Sequence, residues 1–288
     1  MFLQSFKDIN PKDVHLVGGK GASLSAMTQA GLQVPEGFVI LTDCFEKFIS
    51  DSDLKEVIEQ QLATVDLDKI HSIDDASDHI QRLVLHADLP EEIEKAIMDE
   101  FSKLDCQYVA VRSSATSEDS LDAAWAGQLD TYLNTTQEYL IENVRKCWAS
   151  LFTSRALFYR FSQKLDSEKI SVAVVVQKMV DSEVSGVAFS VHPVLQDHNL
   201  VIIEAGFGLG EAIVSGHITP DSYIVKKDSH EICEKQINSQ SKGLFRNVDG
   251  GNIWSEIDVE MKTSQKLNDI QILLLSEQIK KIELFYNF

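Results

Sequence analysis

Apolar spacing changes character once along the chain, and that change limits the fold more than any other feature. From Asp51 to Leu104 the apolar residues recur at helical intervals, with Leu54, Val57, Ile58 and Leu62 on one face and Ile93, Ile97, Phe101 and Leu104 on another. Pro90 followed by Glu91 and Glu92 reads as a helix start, with acids where they suit the helix dipole. Beyond residue 107 short apolar runs take over: 108–111, 170–180 interrupted by Gln177, 186–190 as the expected neighbour of that run, 200–204 and 222–225. Between the first two, Leu140, Val144, Cys147, Trp148, Leu151, Phe152 and Tyr159 trace the buried stripe of one long helix. From about residue 263 the spacing is helical again through Leu267, Ile270, Leu274, Ile279, Ile282 and Phe285. Helices clustered early and strands late argue for an α+β fold and against a regular βαβ alternation. At ~150 residues per domain the chain makes about two lobes, expected at 1–105, with the helical layer, and at 106–288, with exchange of segments between the lobes left open.

Glycine and proline punctuate the first forty residues. Gly18-Gly19-Lys20-Gly21 leads into Leu24 and Met27, which suit a short helix closed by Gly31. A turn at Pro35-Glu36-Gly37 then opens a short apolar strand.

Charge narrows the partners. Lys and Arg number 26 against 45 Asp and Glu, a net charge of −19, so the surface repels nucleic-acid backbone and anionic lipid. An anionic small molecule is not excluded, because salt screens exposed charges beyond roughly 8 Å and a few cations in a cleft outvote a distant acidic surface. No run of ~18 apolar residues spans a membrane, and the opening residues lack the basic and apolar regions of a secretion signal, so a cytoplasmic location is expected. Cys44, Cys106, Cys147 and Cys233 lie far apart without a C-x-x-C pair, so they are expected as reduced, buried thiols rather than zinc ligands or disulfides.

Four segments combine glycine, small hydroxyl residues and single cations between the apolar runs, a composition that suits polyphosphate. Bare backbone amides approach the oxygens while Lys or Arg neutralises their charge. At an effective dielectric near 20, a cation ~4 Å from a phosphate charge contributes on the order of 4 kcal/mol before desolvation. The first segment, around Lys20, is not a P-loop, since Val14 and Gly21 stand where a glycine and a Ser or Thr are required. It also reads as a loop with a surface lysine. In the second, Arg112 is followed by Ser113, Ser114 and Thr116, a cationic fork with hydroxyl donors beside it; the hydroxyls equally suit capping of the next element. The third, Gly206-Phe207-Gly208-Leu209-Gly210-Glu211, fails as a dinucleotide fingerprint because Glu211 takes the place of the third glycine. Close packing is its other reading. The fourth is Gln177 with Lys178 and Met179, where polarity interrupts a buried run or marks the strand's exit from the core.

In this order and spacing, the stretches VGGKGASLSAM, VPEGFVI, VAVRSSATSED, AGQLDTYLN, CWASLFTSRALFYR, SGVAFSVHP and EAGFGLGEAIVSGHITPDSY resemble the N-terminal nucleotide-binding domain shared by phosphoenolpyruvate synthase, pyruvate phosphate dikinase and rifampicin phosphotransferase. The resemblance runs from about residue 13 to 226 and more weakly to the end. It implies an ATP-grasp-like fold holding ATP between two α+β lobes. It further implies that Lys20 and Arg112 contact ATP phosphates and that Gly127 and Thr131 line the same site. Gln177 would sit at the nucleotide beside the backbone of 178–180, which reads the adenine edge. Ser114 and Thr116 are implied as phosphate donors and Glu211 as a polar contact.

In that family a phosphoryl group passes from ATP to a histidine on a swivelling domain and on to the acceptor, which asks the protein for positioning and charge stabilisation. No histidine here stands in anything like the phosphohistidine motif, so that domain and the acceptor domain are expected outside this chain; His192 and His217 read as packing or surface residues. The family continues into segments supplying a magnesium-binding Glu and further contacts to ATP, whereas this sequence stops at Asn287-Phe288. The resemblance therefore implies Mg²⁺ as a cofactor with its Glu beyond Phe288, an apparently truncated lobe, and a fragment that binds nucleotide weakly at best and completes no turnover alone. A phosphoenolpyruvate synthase-like role with pyruvate as acceptor is expected. The alternatives are a rifampicin phosphotransferase-like enzyme and a non-catalytic nucleotide-binding module.

Overall fold

The computed structural model describes residues 2–116, 129–163, 165 and 171–287, and packing divides it into two units, Met1–Met179 and Val180–Phe288. The first unit runs β1 (Leu3–Ser5), α1 (Val14–Gln29), β2 (Gly37–Ile40), α2 (Thr42–Asp51), α3 (Leu54–Leu62), α4 (Ile70–His86), α5 (Glu91–Lys103), β3 (Val109–Ala115), β4 (Thr131–Thr135), α6 (Leu140–Ala149), α7 (Ser154–Ser162) and β5 (Val172–Lys178). Its five strands form one antiparallel sheet in the order β1-β2-β5-β3-β4. The division expected at 105/106 therefore moves to 179/180: β5 pairs with β2 on one side and β3 on the other, so residues 106–179 cannot be separated from the strand at Gly37.

Both faces of this sheet are covered, which is why β5 reads as an unbroken apolar run. Val172, Val174 and Val176 join Phe38, Ile40, Val109, Val111 and Ala115 under the layer of α2–α7. Ala173 and Val175 join Val39 and Leu41 under α1, through Val17 and Ala22. The long helix expected from 140 to 159 is broken. A 3₁₀ turn at Ser150–Phe152 ends α6, and Thr153 turns extended (φ −62°, ψ 152°) to cap α7, its hydroxyl accepting from the Ala156 amide at 3.2 Å.

The second unit runs β6 (Val184–Phe189), β7 (Leu200–Phe207), α8 (Glu211–Val214), β8 (Asp221–Lys226), β9 (Glu231–Gln236), β10 (Lys242–Arg246), β11 (Asn252–Glu256) and α9 (Asp269–Tyr286). β6 to β9 form an antiparallel sheet in chain order, and β10 and β11 form a separate hairpin. Contrary to expectation, β6 is not the neighbour of β5. Both sides of β5 are taken, and β6 pairs instead with β7 from Val184↔Phe207 to Phe189↔Ile202. α9 starts at a capping box, Asn268 accepting from the Gln271 amide and the Gln271 side chain from the Asn268 amide, and buries Ile272 against Val201, Ile203, Tyr223 and Val225. Just before it, the fully buried Lys266 ammonium donates to Asp221 at 2.9 Å, and Asp221 also accepts from Tyr223 and from the backbone of Asn238 and Lys266.

Cys44 and Cys147 are buried and unpaired, as expected, and burial pushes both thiols up to about 12. Cys106 is only half-buried and Cys233 is exposed on β9, contrary to the expectation of buried thiols throughout, because β9 is an edge strand with almost no covered side chain. Among the described residues no helix is long and apolar enough to cross a membrane.

Candidate functional site

Strand alternation decides which of the expected site residues can meet. On β3, Val109, Val111 and Ala115 face the helical layer, so Arg112 and Ser114 face α1. On β5, Val175 faces α1, and Gln177 two residues on shares its side. Thr131 is the cross-strand partner of Arg112 on β4 and lies on that side too, exposed. Arg112, Ser114, Thr131 and Gln177 are thus gathered on the α1 face from three neighbouring strands.

The glycine segment meets them through a break in α1. Gly18 is non-helical (φ 66°, ψ 173°), a backbone region open essentially to glycine alone, so the helix restarts at Gly19. Contact with β3 leaves no room for a side chain there: a Cβ on Gly18 would lie 2.3 Å from both the carbonyl oxygen and the hydroxyl of Ser114. The Ser114 hydroxyl donates to the Val17 carbonyl at 2.9 Å and accepts from the Gly21 amide at 3.3 Å, spanning the break. Lys20, half-buried, lies between those two contacts. The Cys147 thiol is pushed up first by burial, and its opposing influences are the Ser113 hydrogen bond and the positive charge of Lys20.

One partner of Arg112 is a side-chain amide. Its guanidinium donates to the Gln177 side-chain oxygen at 3.4 Å, and the Gln177 nitrogen donates to the Pro35 carbonyl at 3.2 Å. Gln177 is only 8% exposed, so this chain is sheltered and the Arg112 charge is not cancelled through it.

Three expectations change at this face. Ser114 is fully buried with its proton given to Val17, so it holds the turn instead of donating to a phosphate. Thr116 is half-buried and its hydroxyl donates to the Ser171 carbonyl at 3.3 Å, so it ties β3 to the start of β5. The Lys178 and Met179 amides donate to the Glu36 and Tyr108 carbonyls at 2.8 and 3.0 Å, which removes both as donors to an adenine edge. Gly127 lies outside the described residues. Sequence reasoning missed the part played by Gly18 and the Pro35 carbonyl. The signal for the first was available: a glycine pair before a helical run marks a positive φ, and the two-residue spacing of Arg112 and Ser114 puts both on one face.

In the second unit the glycine-rich turn is a packing device. A Cβ on Gly208 (φ 90°) would lie 2.3 Å from the Leu244 carbonyl oxygen, which accepts from the Leu209 amide at 2.7 Å, and Ser185 donates to the Gly208 carbonyl at 2.6 Å. Glu211, exposed at the first position of α8, accepts from Asn252 at 3.1 Å. His192 accepts from the amides of Val194 and Leu195, and the exposed His217 packs beside Trp254 with ring centroids 5.6 Å apart, which fits packing and surface roles.

The face carrying Arg112 presents a cation, amides and hydroxyls, and among the described residues no group of three or more His, Cys, Asp or Glu could hold a metal ion. A guanidinium with amides and hydroxyls beside it fits an anion.

Comparison with known proteins bears on which anion. Residues 14–288 match the family described as the pyruvate phosphate dikinase AMP/ATP-binding domain. A probable phosphoenolpyruvate synthase of Methanothermobacter thermautotrophicus is 38% identical over 293 residues, covering 99% of this chain and 42% of the relative. The phosphoenolpyruvate synthase of Pyrococcus furiosus is 35% identical over 332 residues, covering 100% and 41%. The rifampicin phosphotransferase of Bacillus cereus is 36% identical over 288 residues, covering 99% and 33%. The chain thus spans less than half the length of these relatives. A match over nearly all of its residues, with the glycine turn and the Arg112 strand inside it, places the chain in the pyruvate phosphate dikinase AMP/ATP-binding domain family.

Proposed function

We propose that this chain is the ATP-binding part of a phosphotransferase with an ATP-grasp-like architecture. Lys20 and Arg112 neutralise the polyphosphate, and Thr131 and Gln177 border it. The observation that carries this reading is the Ser114 contact across the α1 break, which brings the Lys20 backbone against the strand that bears Arg112. Two fixed cations suit phosphoryl transfer, in which the protein's work is positioning and charge stabilisation rather than covalent chemistry. The phosphoryl group then passes to a histidine on another domain and from there to pyruvate, the route implied by the resemblance and in keeping with relatives named phosphoenolpyruvate synthase. A rifampicin-type acceptor is the second reading, favoured by the identity to the Bacillus cereus enzyme. Magnesium would arrive with the nucleotide, held chiefly by phosphate oxygens, and no step here is routed through it.

An NMR titration with ATP, which reads millimolar affinities, tests the site. Lys20→Ala and Arg112→Ala should each weaken binding by about ten- to a hundredfold, the loss of a charge-assisted contact. Unchanged affinity in both variants would overturn the reading. In the longer protein that carries this chain, AMP formation dependent on pyruvate but not on rifampicin separates the two acceptors.

A further inference from the structure

We infer that Ser114 is a positioning residue for nucleotide binding, acting through Lys20 as the fastener that sets the angle between the two halves of α1; this rests on the proposed role of Lys20. Each half of the helix has an anchor of its own. The first is held where Thr42 donates to the His15 carbonyl at 3.1 Å. The second is held where the buried Ser25 hydroxyl bridges the Phe6 and Ile9 carbonyls, at 2.8 and 3.0 Å, and Gln29 donates to the Ile9 carbonyl at 2.6 Å. Neither anchor reaches across the break at Gly18. The Ser114 hydroxyl does, donating to Val17 on one side and accepting from Gly21 on the other.

Lys20 sits inside the loop that these two bonds close, so the hydroxyl adds a hydrogen-bonded link to β3 beside the packing of Val17 and Ala22 on the sheet. Arg112 projects from the same face of the same strand two residues away. The backbone from which Lys20 projects is thereby held beside the strand that bears Arg112 before any ligand arrives, and phosphate binding spends little on ordering the turn. Without the hydroxyl, the Gly21 amide and the Val17 carbonyl lose a buried partner, and the glycine-rich turn, having no side chains to lock it, relaxes.

The experiment is a double-mutant cycle on this chain, with ATP and with adenosine as ligands, read by NMR titration well below the melting midpoint of every variant. Ser114→Ala should weaken ATP about tenfold in the native background and less than twofold when Lys20→Ala is already present, with adenosine affinity unchanged. A merely structural role predicts equal losses with and without Lys20, or parallel losses for adenosine, and either result overturns the inference. If Lys20→Ala has no effect on ATP, or the chain binds no ATP, both this inference and the proposed site fall. If Lys20→Ala weakens ATP while Ser114→Ala does not, only this inference falls. Hydrogen exchange in the unmodified chain provides a check independent of the variants folding: the Gly21 amide should be protected, and ATP should slow its exchange further. A freely exchanging Gly21 amide overturns the fastener.

Discussion

Arg112 reaches Gln177 diagonally across the β3–β5 pair, guanidinium to side-chain oxygen at 3.4 Å, and Gln177 passes the constraint on to the Pro35 carbonyl at 3.2 Å. The partner of the cation in this contact is neutral, so the contact orients the guanidinium without adding a negative charge beside it. Converting that partner to an acid should therefore be worse than deleting it. Gln177→Ala is expected to reduce ATP affinity a few-fold through a less ordered Arg112, while Gln177→Glu sets a carboxylate in the phosphate field, opposed by on the order of 4 kcal/mol at ~4 Å and a dielectric near 20. Titration of both variants with ATP checks the ranking, and equal losses would count against a phosphate beside Arg112.

Gly18 and Gly31 form a matched pair for a stability test. Both have positive φ, 66° and 76°, but a Cβ at Gly18 would strike Ser114 at 2.3 Å whereas one at Gly31 meets nothing within 4 Å. Gly18→Ala should cost about 2–5 kcal/mol, backbone strain plus overpacking, and Gly31→Ala about 1–2 kcal/mol from strain alone. Urea unfolding of the two variants measures the difference.

The Asp221–Lys266 pair, fully buried, with four hydrogen bonds to the carboxylate and the ammonium also donating to the Asn238 carbonyl, makes a separate prediction for the second unit. Asp221→Ala should cost about 3–5 kcal/mol, because it strands a buried ammonium. Adding Lys266→Met should recover part of that loss instead of adding to it. Denaturant midpoints of the two single variants and the double variant decide.

Thiol chemistry gives a pH test with a definite sign. Cys44 and Cys147 are held up at about 12 against a usual value of 9.0, chiefly by burial. The folded state keeps both protonated where the unfolded chain would release the protons, so their contribution is complete below pH 9 and is lost as pH rises toward 12. The urea midpoint should fall between pH 8 and pH 10 for this reason. At pH 8 a thiol reagent should label the exposed Cys233 in the native protein and reach Cys44 and Cys147 only after unfolding.

What could be read from the sequence follows from how each element is buried. β2, β3, β5, β7 and β8 are covered enough to show as apolar runs, and α5 announces itself through Pro90, two acids and a regular stripe. β9 and β11 escaped notice because nearly every residue on them is exposed, so no alternation marks them. The stripe from Leu140 to Tyr159 is continuous in sequence yet broken in space, since the 3₁₀ turn keeps Leu151 and Phe152 in the core while Thr153 restarts the helix. At the site, Lys20, Arg112 and Gln177 were legible as charge and polarity in apolar surroundings. Which hydroxyls were already committed to the protein was not, because Ser114 and Thr116 find their partners about 97 and 55 residues away in sequence.

The sheet order β1-β2-β5-β3-β4 has a consequence for the chain as it is made. The middle strand is the last of the five to be synthesised, so β2 and β3, which in the finished sheet pair with β5 and not with each other, leave the ribosome without their shared partner. A nascent chain of some 160 residues therefore carries two half-sheets with unsatisfied inner edges, exposed to mispairing until Val172–Lys178 slides between them. Assembly of the face carrying Arg112 and Gln177 waits on the same event, so the proposed site should appear late and all at once during synthesis.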